Sequence, residues 1–461
     1  MGGYEFSIQE QPEQQIDTPY RKIKTAIPAP DYADIKGQLD KYEARSMHDQ
    51  LPIVWDRAED FLVYDQKGNC WIDFTSTIFV ANCGHSNPHV IAALRKQLDQ
   101  SLIHTYTFPS RIRADFLKKL IAVTPPFCEK AFLLSSGTEA TECALKLMRM
   151  RGRTIRPDKI GIISFQGNMH GRTMGAEMLR GDAASADWIG YSDPHIYHLP
   201  FPYPWNTIGE SGDSDGAIRF QKDIENLQQT GGFDPDRICG FVIEPYQGWA
   251  GVLFPQEYIR ALCEFAKAHD ILVTFDEIQG GFGRTGKMFV YEHYGVEPDL
   301  LCLGKALSGG LPLSAVVGRK DILDLPEVGS MSSTHSANPL CCAAGLANIE
   351  EITTRGLVAE SARKGAILHA ALEEMKNKYP QLISWVLGKG LLAALLVTDP
   401  KTGKPDGALA SRICEMAMRQ GLLLVHTGRE SIKIGPPLTI PDDALQEGIS
   451  VLDECLSQVD S

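Results

Sequence analysis

Six short, mostly apolar runs lie between residues 131 and 317, and each has the length of a strand rather than of a helix. Strands that are covered on both faces give continuous apolar runs, whereas half-exposed strands alternate apolar with polar residues. Helical patterns at 139–150 and 256–269 supply crossovers of the kind that parallel strands require. The chain therefore predicts an α/β fold with a mostly parallel sheet. The runs are 131–134, 160–165, 238–243, 271–275, 300–303 and 315–317.

The pattern changes near residues 75 and 340, which predicts three parts. Residues 1–75 hold a Gln- and Pro-rich arm and several strand candidates, and we expect them to join the smaller domain. Residues 76–340 are predicted to form the large domain, with a long surface excursion at 181–235. Residues 341–461 predict a smaller α+β domain. The supporting elements are strands at 53–55, 61–64, 70–74, 391–397 and 422–425, and helices at 341–353, 356–377, 407–420 and 442–458.

Composition argues against several classes of function. The 461 residues carry a formal net charge of −13, so binding to the phosphate backbone of a nucleic acid is not expected. No apolar stretch reaches the roughly 18 residues of a membrane span, and no apolar leader is visible, so we expect neither a membrane protein nor a secreted one. The eleven cysteines form no C-x-x-C pair. This argues against a disulfide framework and a zinc site, and it predicts a reducing, cytoplasmic compartment.

Two chemically informative residues follow apolar runs of the predicted sheet. Asp276 comes directly after the run 271–275, and Lys305 follows the run 300–303 after one glycine. Ligands of open α/β sheets bind beyond the carboxyl ends of the strands. An amine that can form an imine with an aldehyde, and a carboxylate that keeps a ring nitrogen protonated, are the two groups that pyridoxal phosphate requires. The pair therefore predicts a pyridoxal phosphate site.

A phosphate seat is predicted where Ser136, Gly137 and Thr138 join a strand to a helix. Ser136 and Glu139 have the spacing of a capping box. The free N–H groups and the positive end of a helix dipole bind phosphate well. Taken alone, the motif is also consistent with a capped helix that binds nothing. Together with Asp276 and Lys305, it favours the phosphate.

Motifs spread from about residue 55 to 445 resemble those of the class III aminotransferases, the family of ornithine and 4-aminobutyrate aminotransferases. The resemblance implies the PLP-dependent transferase fold of type I, the aspartate-aminotransferase-like fold. It also implies a pyridoxal phosphate enzyme that transfers amino groups. The motifs are Gly84-His85 with Pro88, Ser136 to Ala140, His170 to Thr173, Glu244 to Gly248, Asp276 to Gln279, Gly281 to Gly286, Gly304 to Ala306, Thr334, Asn338-Pro339 and Pro436 to Leu438.

The same resemblance implies roles for individual residues. Lys305 would bond the cofactor and later carry the proton, and Asp276 would pair with the ring nitrogen. Gln279 would donate to the ring oxygen, and His170 would mainly shape its loop. Thr334 would reach the phosphate bound in the other subunit, which implies a homodimer with shared sites. The implied cofactor-binding set is Ser136, Gly137, Thr138, Met169, His170, Glu244, Asp276, Ile278, Gln279, Lys305 and Thr334.

Three positions depart from the family pattern. Met169 stands where an aromatic ring usually stacks on the cofactor, and a thioether covers a ring less firmly. Lys433 stands where many members have an arginine that clamps a substrate carboxylate, and Arg429 lies close enough in sequence to take that role. Trp249 replaces a gating glutamate.

These departures bear on the substrate. Trp249 would supply an apolar wall, and Ile78, Phe79 and Tyr106 would complete an aromatic or aliphatic pocket. The three departures together predict an amine substrate other than a plain α-amino acid: an ω-amino acid, a simple amine or an amino sugar. A keto acid or an aldehyde would accept the amino group in a ping-pong cycle. The same lysine chemistry also serves racemases, aminomutases and decarboxylating members of the family. A non-catalytic protein is disfavoured, because Lys305, Asp276 and Gln279 are all present.

Overall fold

The computed structural model describes residues 4–11, 15–48, 50–206, 216–229 and 232–460. The helices are α1 Tyr32–Tyr42, α2 Ser76–Phe79, α3 Pro88–Asp99, α4 Arg111–Val123, α5 Gly137–Ile155, α6 Met174–Met178, α7 Ala183–Ala186, α8 Gly216–Gln229, α9 Gln256–Ala268, α10 Lys320–Leu323, α11 Pro339–Thr354, α12 Leu357–Lys378, α13 Gly407–Arg419 and α14 Asp442–Asp460.

The strands belong to several sheets of different size. They are β1 Ile16–Asp17, β2 Lys22–Ile23, β3 Arg57–Glu59, β4 Leu62–Tyr64, β5 Cys70–Asp73, β6 Lys130–Leu134, β7 Gly161–Phe165, β8 Ile196–Leu199, β9 Ile238–Ile243, β10 Tyr246–Gln247, β11 Val252–Leu253, β12 Leu272–Asp276, β13 Leu300–Leu303, β14 Ser314–Gly318, β15 Ile383–Lys389, β16 Leu392–Val397, β17 Leu422–Leu423, β18 Val425–His426 and β19 Ser431–Ile434.

The largest of the described sheets has seven strands in the order β6-β14-β13-β12-β9-β7-β8. The pairs from β13 through β12, β9 and β7 to β8 are all parallel, and only β14 runs against its neighbours. The predicted mostly parallel α/β sheet is therefore confirmed. Because β12 and β13 are adjacent and parallel, the residues that follow them emerge at the same edge of the sheet.

The sheet is covered on both faces, which explains its continuous apolar runs. On one face Met148 of α5 packs in a cluster with Val242 and Cys302. On the other face Phe275 clusters with Leu262 of α9. The approach of α5 is so close that a Cβ atom at Gly240 would lie 2.1 Å from the Met148 sulfur. The core therefore holds β12 and β13 rigidly and fixes where they end.

A four-stranded antiparallel sheet, β15-β16-β19-β18, carries the helices α12, α13 and α14. A further sheet joins β1 to β5 from the start of the chain, and β17 pairs with β5 in parallel at Leu422 and Ile72. The strands near the N-terminus therefore share a sheet with β17, which lies near the C-terminus. The limits predicted for the domains remain predictions.

Some elements differ from those predicted. The apolar triplet 53–55 forms no strand, and the strand lies instead at β3, which is largely exposed. The excursion 181–235 contains the edge strand β8 and the helix α8, although most of its Gly- and Ser-rich run at 209–216 lies outside the described residues. Strands β15 and β19 were not predicted. Their apolar residues are interrupted by polar ones, and tertiary pairing rather than local pattern fixes them.

Candidate active site

Asp276 is the last residue of β12, and both its carboxylate oxygens have donors. His170 Nδ1 lies 2.8 Å from Asp276 Oδ2, and the backbone N–H of Ile278 donates to Oδ1 at 3.1 Å. Asp276 is 6% exposed and His170 is 2% exposed. The carboxylate is therefore held in one orientation at the sheet edge. Sequence reasoning gave His170 only a loop-shaping role, and a partner 106 positions away left no local signal for this contact.

Lys305 begins a short turn directly after β13, one strand away from Asp276. Its φ of +38° is left-handed, a strained conformation for a residue with a side chain. The side chain is half-buried, and burial lowers the pKa of its amine, while the carboxyls of Asp276 and Glu244 act in the opposite direction. A lowered pKa leaves more of the amine unprotonated at neutral pH, and only the unprotonated amine acts as a nucleophile or a base.

The N-terminus of α5 lies beside the turn that follows β12. Ser136 and Glu139 form the predicted capping box, with Glu139 Oε2 accepting the Ser136 N–H at 2.9 Å. Ser314 donates its hydroxyl to the Ser136 carbonyl at 2.6 Å, which ties the turn to β14. A Cβ atom at Gly137 would lie 3.1 Å from the side chain of Ile278. Glycine therefore lets the helix end approach the residues around Asp276.

Thr138 faces the loop that carries His170. Its hydroxyl lies 2.7 Å from the hydroxyl of Thr173. Gly171 has a left-handed φ of +145°, and a Cβ there would lie 2.1 Å from Thr138 Oγ1. The two segments of the predicted phosphate and ring sites are thus in direct contact.

Glu244 and Met169 meet at the same edge. The backbone N–H of Met169 donates to Glu244 Oε2 at 2.8 Å. Burial raises the pKa of Glu244 to about 7, so it is only partly charged at neutral pH. The Met169 side chain is 43% exposed, which leaves it free to lie over a ligand ring.

Lys433 points from β19 toward Gln279. Its amine donates to the Gly248 carbonyl at 2.7 Å and to Gln279 Oε1 at 3.4 Å. It also lies 4.8 Å from the centre of the Phe79 ring. Burial lowers the pKa of this amine to about 7. The acceptors it contacts are neutral, so a ligand anion would be its natural counterion.

Ile78 and Phe79 lie in an unusual turn. All four residues of α2, from Ser76 to Phe79, have left-handed φ values between +45° and +67°. The fully buried guanidinium of Arg284 holds this turn, and burial lowers its pKa to about 9. Arg284 belongs to the motif Gly281 to Gly286, for which the sequence predicts no separate role. It donates to Ser76 Oγ at 3.2 Å, Asn82 Oδ1 at 2.6 Å, the Leu391 carbonyl at 2.9 Å and the Pro436 carbonyl at 2.6 Å.

Trp249 and Arg429 contact each other. The Arg429 guanidinium lies 3.6 Å from the centre of the Trp249 ring and also pairs with Glu430 at 3.3 Å. The Trp249 indole N–H donates to Gln247 Oε1 at 2.7 Å. Arg429 therefore stacks on the tryptophan, whereas Lys433 is the cation that reaches Gln279. Trp249 and Arg429 line a cavity of about 330 Å³ together with Tyr203, Trp205 and Trp385.

Thr334 is exposed on the segment between α10 and α11. That segment contacts the one before α4: Tyr106 donates to Ser332 at 3.3 Å, and the rings of His104 and His335 lie 5.6 Å apart. An exposed position suits a residue that serves a neighbouring subunit. Its predicted reach to another subunit's phosphate remains a prediction.

The donor set fits pyridoxal phosphate. The helix end at Gly137 and Thr138 offers N–H groups to a phosphate, because the first N–H groups of a helix lack acceptors within it. Asp276 offers a buried carboxylate to a ring N–H, and Lys305 offers an amine of lowered pKa to an aldehyde. Among the described residues, no group of three or more His, Cys, Asp and Glu side chains has the arrangement of a metal site.

Comparison with known proteins gives one family. A family model described as aminotransferase class-III matches residues 43–456. The chain is 34% identical over 424 residues to the ornithine aminotransferase of Saccharomyces cerevisiae, covering 90% of this chain and 96% of that one. It is 31% identical over 432 residues to the isoleucine 2-epimerase of Lentilactobacillus buchneri, covering 91% and 94%. A crystal structure of a thermostable omega transaminase 4-fold mutant from Pseudomonas jessenii matches with a TM-score of 0.84 at 26% identity, covering 93% and 98%.

Proposed function

The chain belongs to the class-III aminotransferase family, a group of pyridoxal phosphate enzymes, and we propose that it moves an amino group from an amine to a keto acid or an aldehyde. Transamination and the cofactor follow from the family. The roles of single residues and the class of amine are our proposal. The observation that carries it is the meeting of three groups at one sheet edge: Asp276, Lys305 and the N-terminus of α5.

Bound pyridoxal phosphate supplies an aldehyde that takes up an amine and a protonated ring that draws electrons from the neighbouring C–H bond. Asp276 would hold the ring N–H with a carboxylate that His170 and Ile278 keep in place. Lys305 Nζ would take the proton from the substrate carbon and deliver it to C4′ of the cofactor, because its lowered pKa leaves more of the amine unprotonated. Gly137 and Thr138 would bind the phosphate through backbone N–H groups.

Lys433 is the residue we assign to the carboxylate of the keto acid. It is buried beside Gln279, and its contacts with neutral acceptors leave its charge available to an anion. A lysine is a point charge and lacks the two-pronged grip of arginine on a carboxylate. We therefore expect moderate rather than tight binding of the keto acid. The stacked Arg429 is the second candidate for this contact.

The amine that fits best is one without an α-carboxylate. The ring of Phe79 lies next to the Lys433 amine. Trp249 offers apolar surface to the cavity that it lines with Tyr203 and Trp385, and Ile78 lines another cavity with Leu51 and Trp55. One cation serves the acceptor, while the amine is recognised mainly by apolar contact. Rates measured with an ω-amino acid, a simple alkylamine, an amino sugar and ornithine test this. A clear preference for ornithine or another α-amino acid would contradict it.

An epimerase is the second candidate, because a relative of 31% identity carries the name isoleucine 2-epimerase. The two activities differ in their need for a second substrate. Incubation with the amine alone converts an aminotransferase to its amino form, and the visible absorbance of the bound cofactor falls. An epimerase keeps that absorbance and instead inverts the configuration of the substrate at the carbon that carries the amino group. Loss of optical rotation without loss of absorbance would favour the epimerase.

We propose a cytoplasmic homodimer with shared active sites. Thr334 is exposed, and so are the apolar side chains of Ile103 and Phe108 on the segment before α4, which a second subunit would cover. Every cysteine lies in the described residues as a free thiol, as in a reducing compartment. No helix in the described part of the chain is long and apolar enough to span a bilayer. Sedimentation analysis with and without cofactor tests the dimer, and a monomeric active enzyme would contradict it.

A further inference from the structure

A row of buried side chains connects Trp249 with Asp276. Trp249 Nε1 lies 2.7 Å from Gln247 Oε1, and Gln247 Nε2 lies 3.4 Å from Asn168 Oδ1. Asn168 Nδ2 lies 3.2 Å from His170 Nε2, and His170 Nδ1 lies 2.8 Å from Asp276 Oδ2. Gln247 and Asn168 are fully buried, and His170 and Asp276 are nearly so. The polar groups of these four residues must therefore find their partners within the protein rather than in bulk water.

The direction of every bond in the row is fixed at Gln247, whose Oε1 accepts from the Trp249 indole and the Tyr203 hydroxyl. An indole N–H can only donate, so the Gln247 atom that faces Trp249 is its carbonyl oxygen. The amide nitrogen of Gln247 then points the other way, where it also donates to the Gln166 carbonyl at 2.6 Å. Since that nitrogen can only donate, the Asn168 atom facing it is the oxygen. The Asn168 amide nitrogen is left to donate to His170 Nε2, which must accept.

We propose that Asn168 and Gln247 are positioning residues that fix His170 as the neutral ring with its proton on Nδ1. This inference rests on the proposed function for its consequence, since it concerns how Asp276 meets the cofactor. A ring nitrogen that accepts a hydrogen bond carries no proton, and the proton of a neutral imidazole then sits on the other nitrogen. His170 Nδ1 therefore donates to Asp276 as an uncharged group.

The neutral form matters because His170 and the cofactor ring share one carboxylate. A doubly protonated imidazole would place a positive charge against Asp276 and compete with the ring N–H for its negative charge. The neutral ring and the Ile278 N–H each give one hydrogen bond and leave that charge to the cofactor. Besides Asp276, the titratable groups that act on His170 are Glu244 and His198, and Lys305 acts on Asp276.

The position of the proton can be read without the cofactor. We would label the protein with ¹⁵N at histidine only and record solid-state ¹⁵N spectra of the cofactor-free protein, with His170→Gln identifying the signal. The expected result is a protonated Nδ1 and an unprotonated Nε2. A wild-type ring with its proton on Nε2, or on both nitrogens, would overturn the proposal.

Two variants test the row itself. Asn168→Asp turns the donor that faces His170 Nε2 into an acceptor, so Nε2 should gain a proton. Gln247→Glu removes the donor that orients Asn168, and a mixture of tautomers should appear even if the first variant folds poorly. Ser164→Ala is the matched control, since its hydroxyl lies 3.4 Å from the same nitrogen but can donate or accept. An unchanged ring in both row variants would overturn the proposal.

The effect of the His170 tautomer on catalysis is measured in the enzyme with pyridoxal phosphate bound. We expect Asn168→Asp to lower kcat about tenfold with KM little changed, the effect of weakening one hydrogen-bonded contact in the transition state. The range of pH over which kcat stays high should become narrower in Asn168→Asp. The pH profile of kcat should keep its wild-type shape in Ser164→Ala. An unchanged kcat would overturn the link to Asp276. Failure of the wild type to bind pyridoxal phosphate would instead contradict the proposed function and leave the spectra of the cofactor-free protein interpretable.

Discussion

The two sides of the proposed site are built in different ways. The cofactor side consists of Asp276, Lys305 and the start of α5, which all emerge from one seven-stranded sheet with a core on each face. The substrate side combines Lys433 of a second sheet with the left-handed turn at Ser76 to Phe79. The first is fixed by strand order. The second depends on contacts between segments that are distant in sequence.

Two of the three departures from the family pattern, Lys433 and Trp249, belong to the substrate side, and one, Met169, belongs to the cofactor side. Strand ends cannot move without disturbing the core, so the chemistry placed on them is retained. A turn held by one buried guanidinium, and a cation held by two neutral acceptors, are changed by single substitutions. We therefore expect changes at the cofactor side to abolish turnover, and changes at the substrate side to alter selectivity.

The largest expected effect is that of Lys305→Ala. Loss of both the amine that bonds the cofactor and the base that moves the proton should lower turnover by roughly 10³–10⁴-fold. The exposed Lys401→Ala is the matched control and should keep wild-type rates. Borohydride reduction followed by peptide mapping should label Lys305. Labelling at another lysine, or substantial turnover by Lys305→Ala, would show that Lys305 does not bond the cofactor. The division into a cofactor side and a substrate side would then fail.

Asp276→Asn should have the next largest effect. The amide cannot hold a ring N–H as an ion does, and the loss of a charge-assisted hydrogen bond should lower kcat by roughly 10²-fold. Its neighbour Glu277 offers a control, because that buried carboxyl accepts the N–H groups of Val290 and Tyr291 instead. Glu277→Gln should change kcat far less. Equal losses in both variants would mean that folding, not chemistry, is affected.

The sequence predicts the residues of the cofactor side from local signals. Asp276 and Lys305 each follow their own apolar run, and the capping box at Ser136 marks the start of α5. The contact of His170 with Asp276 was not predicted, since it depends on how the loop after β7 folds over the sheet. The fold class is confirmed, but β8, β15 and β19 were missed, because their pairing rather than their pattern makes them strands.

Neither the left-handed turn at Ser76 to Phe79 nor the stacking of Arg429 on Trp249 leaves a pattern in the sequence. Both arise from tertiary contacts. The positions of the substrate side were therefore predicted from a resemblance, and their contacts were not. The assigned roles of Lys433, Arg429 and Trp249 stay predictions until they are measured.

Gly435→Ala tests the rigidity of the substrate side. A Cβ atom there would lie 1.9 Å from the ring of the fully buried Phe79, so the ring and its turn must shift. Overpacking of this kind costs about 1–3 kcal/mol, which urea unfolding of the cofactor-free protein measures. The control is Gly37→Ala in α1, where nothing lies within 4 Å, and this variant should be neutral or stabilising. Equal stability of the two variants would show that the turn is pliable.

The smallest effect concerns the charge of Lys433. Its pKa is lowered to about 7 by burial, so the amine is charged below that pH and loses its proton as the pH rises through it. If it binds the carboxylate of the keto acid, KM for pyruvate should rise about tenfold between pH 6 and 9, while KM for a simple alkylamine should not follow the same curve. Lys433→Arg keeps its charge across this range and should flatten the dependence. Arg429→Met should leave it intact. A dependence that survives in Lys433→Arg but is lost in Arg429→Met would move the carboxylate site to the stacked arginine, and the apolar surface around Trp249 would then face the acceptor rather than the amine.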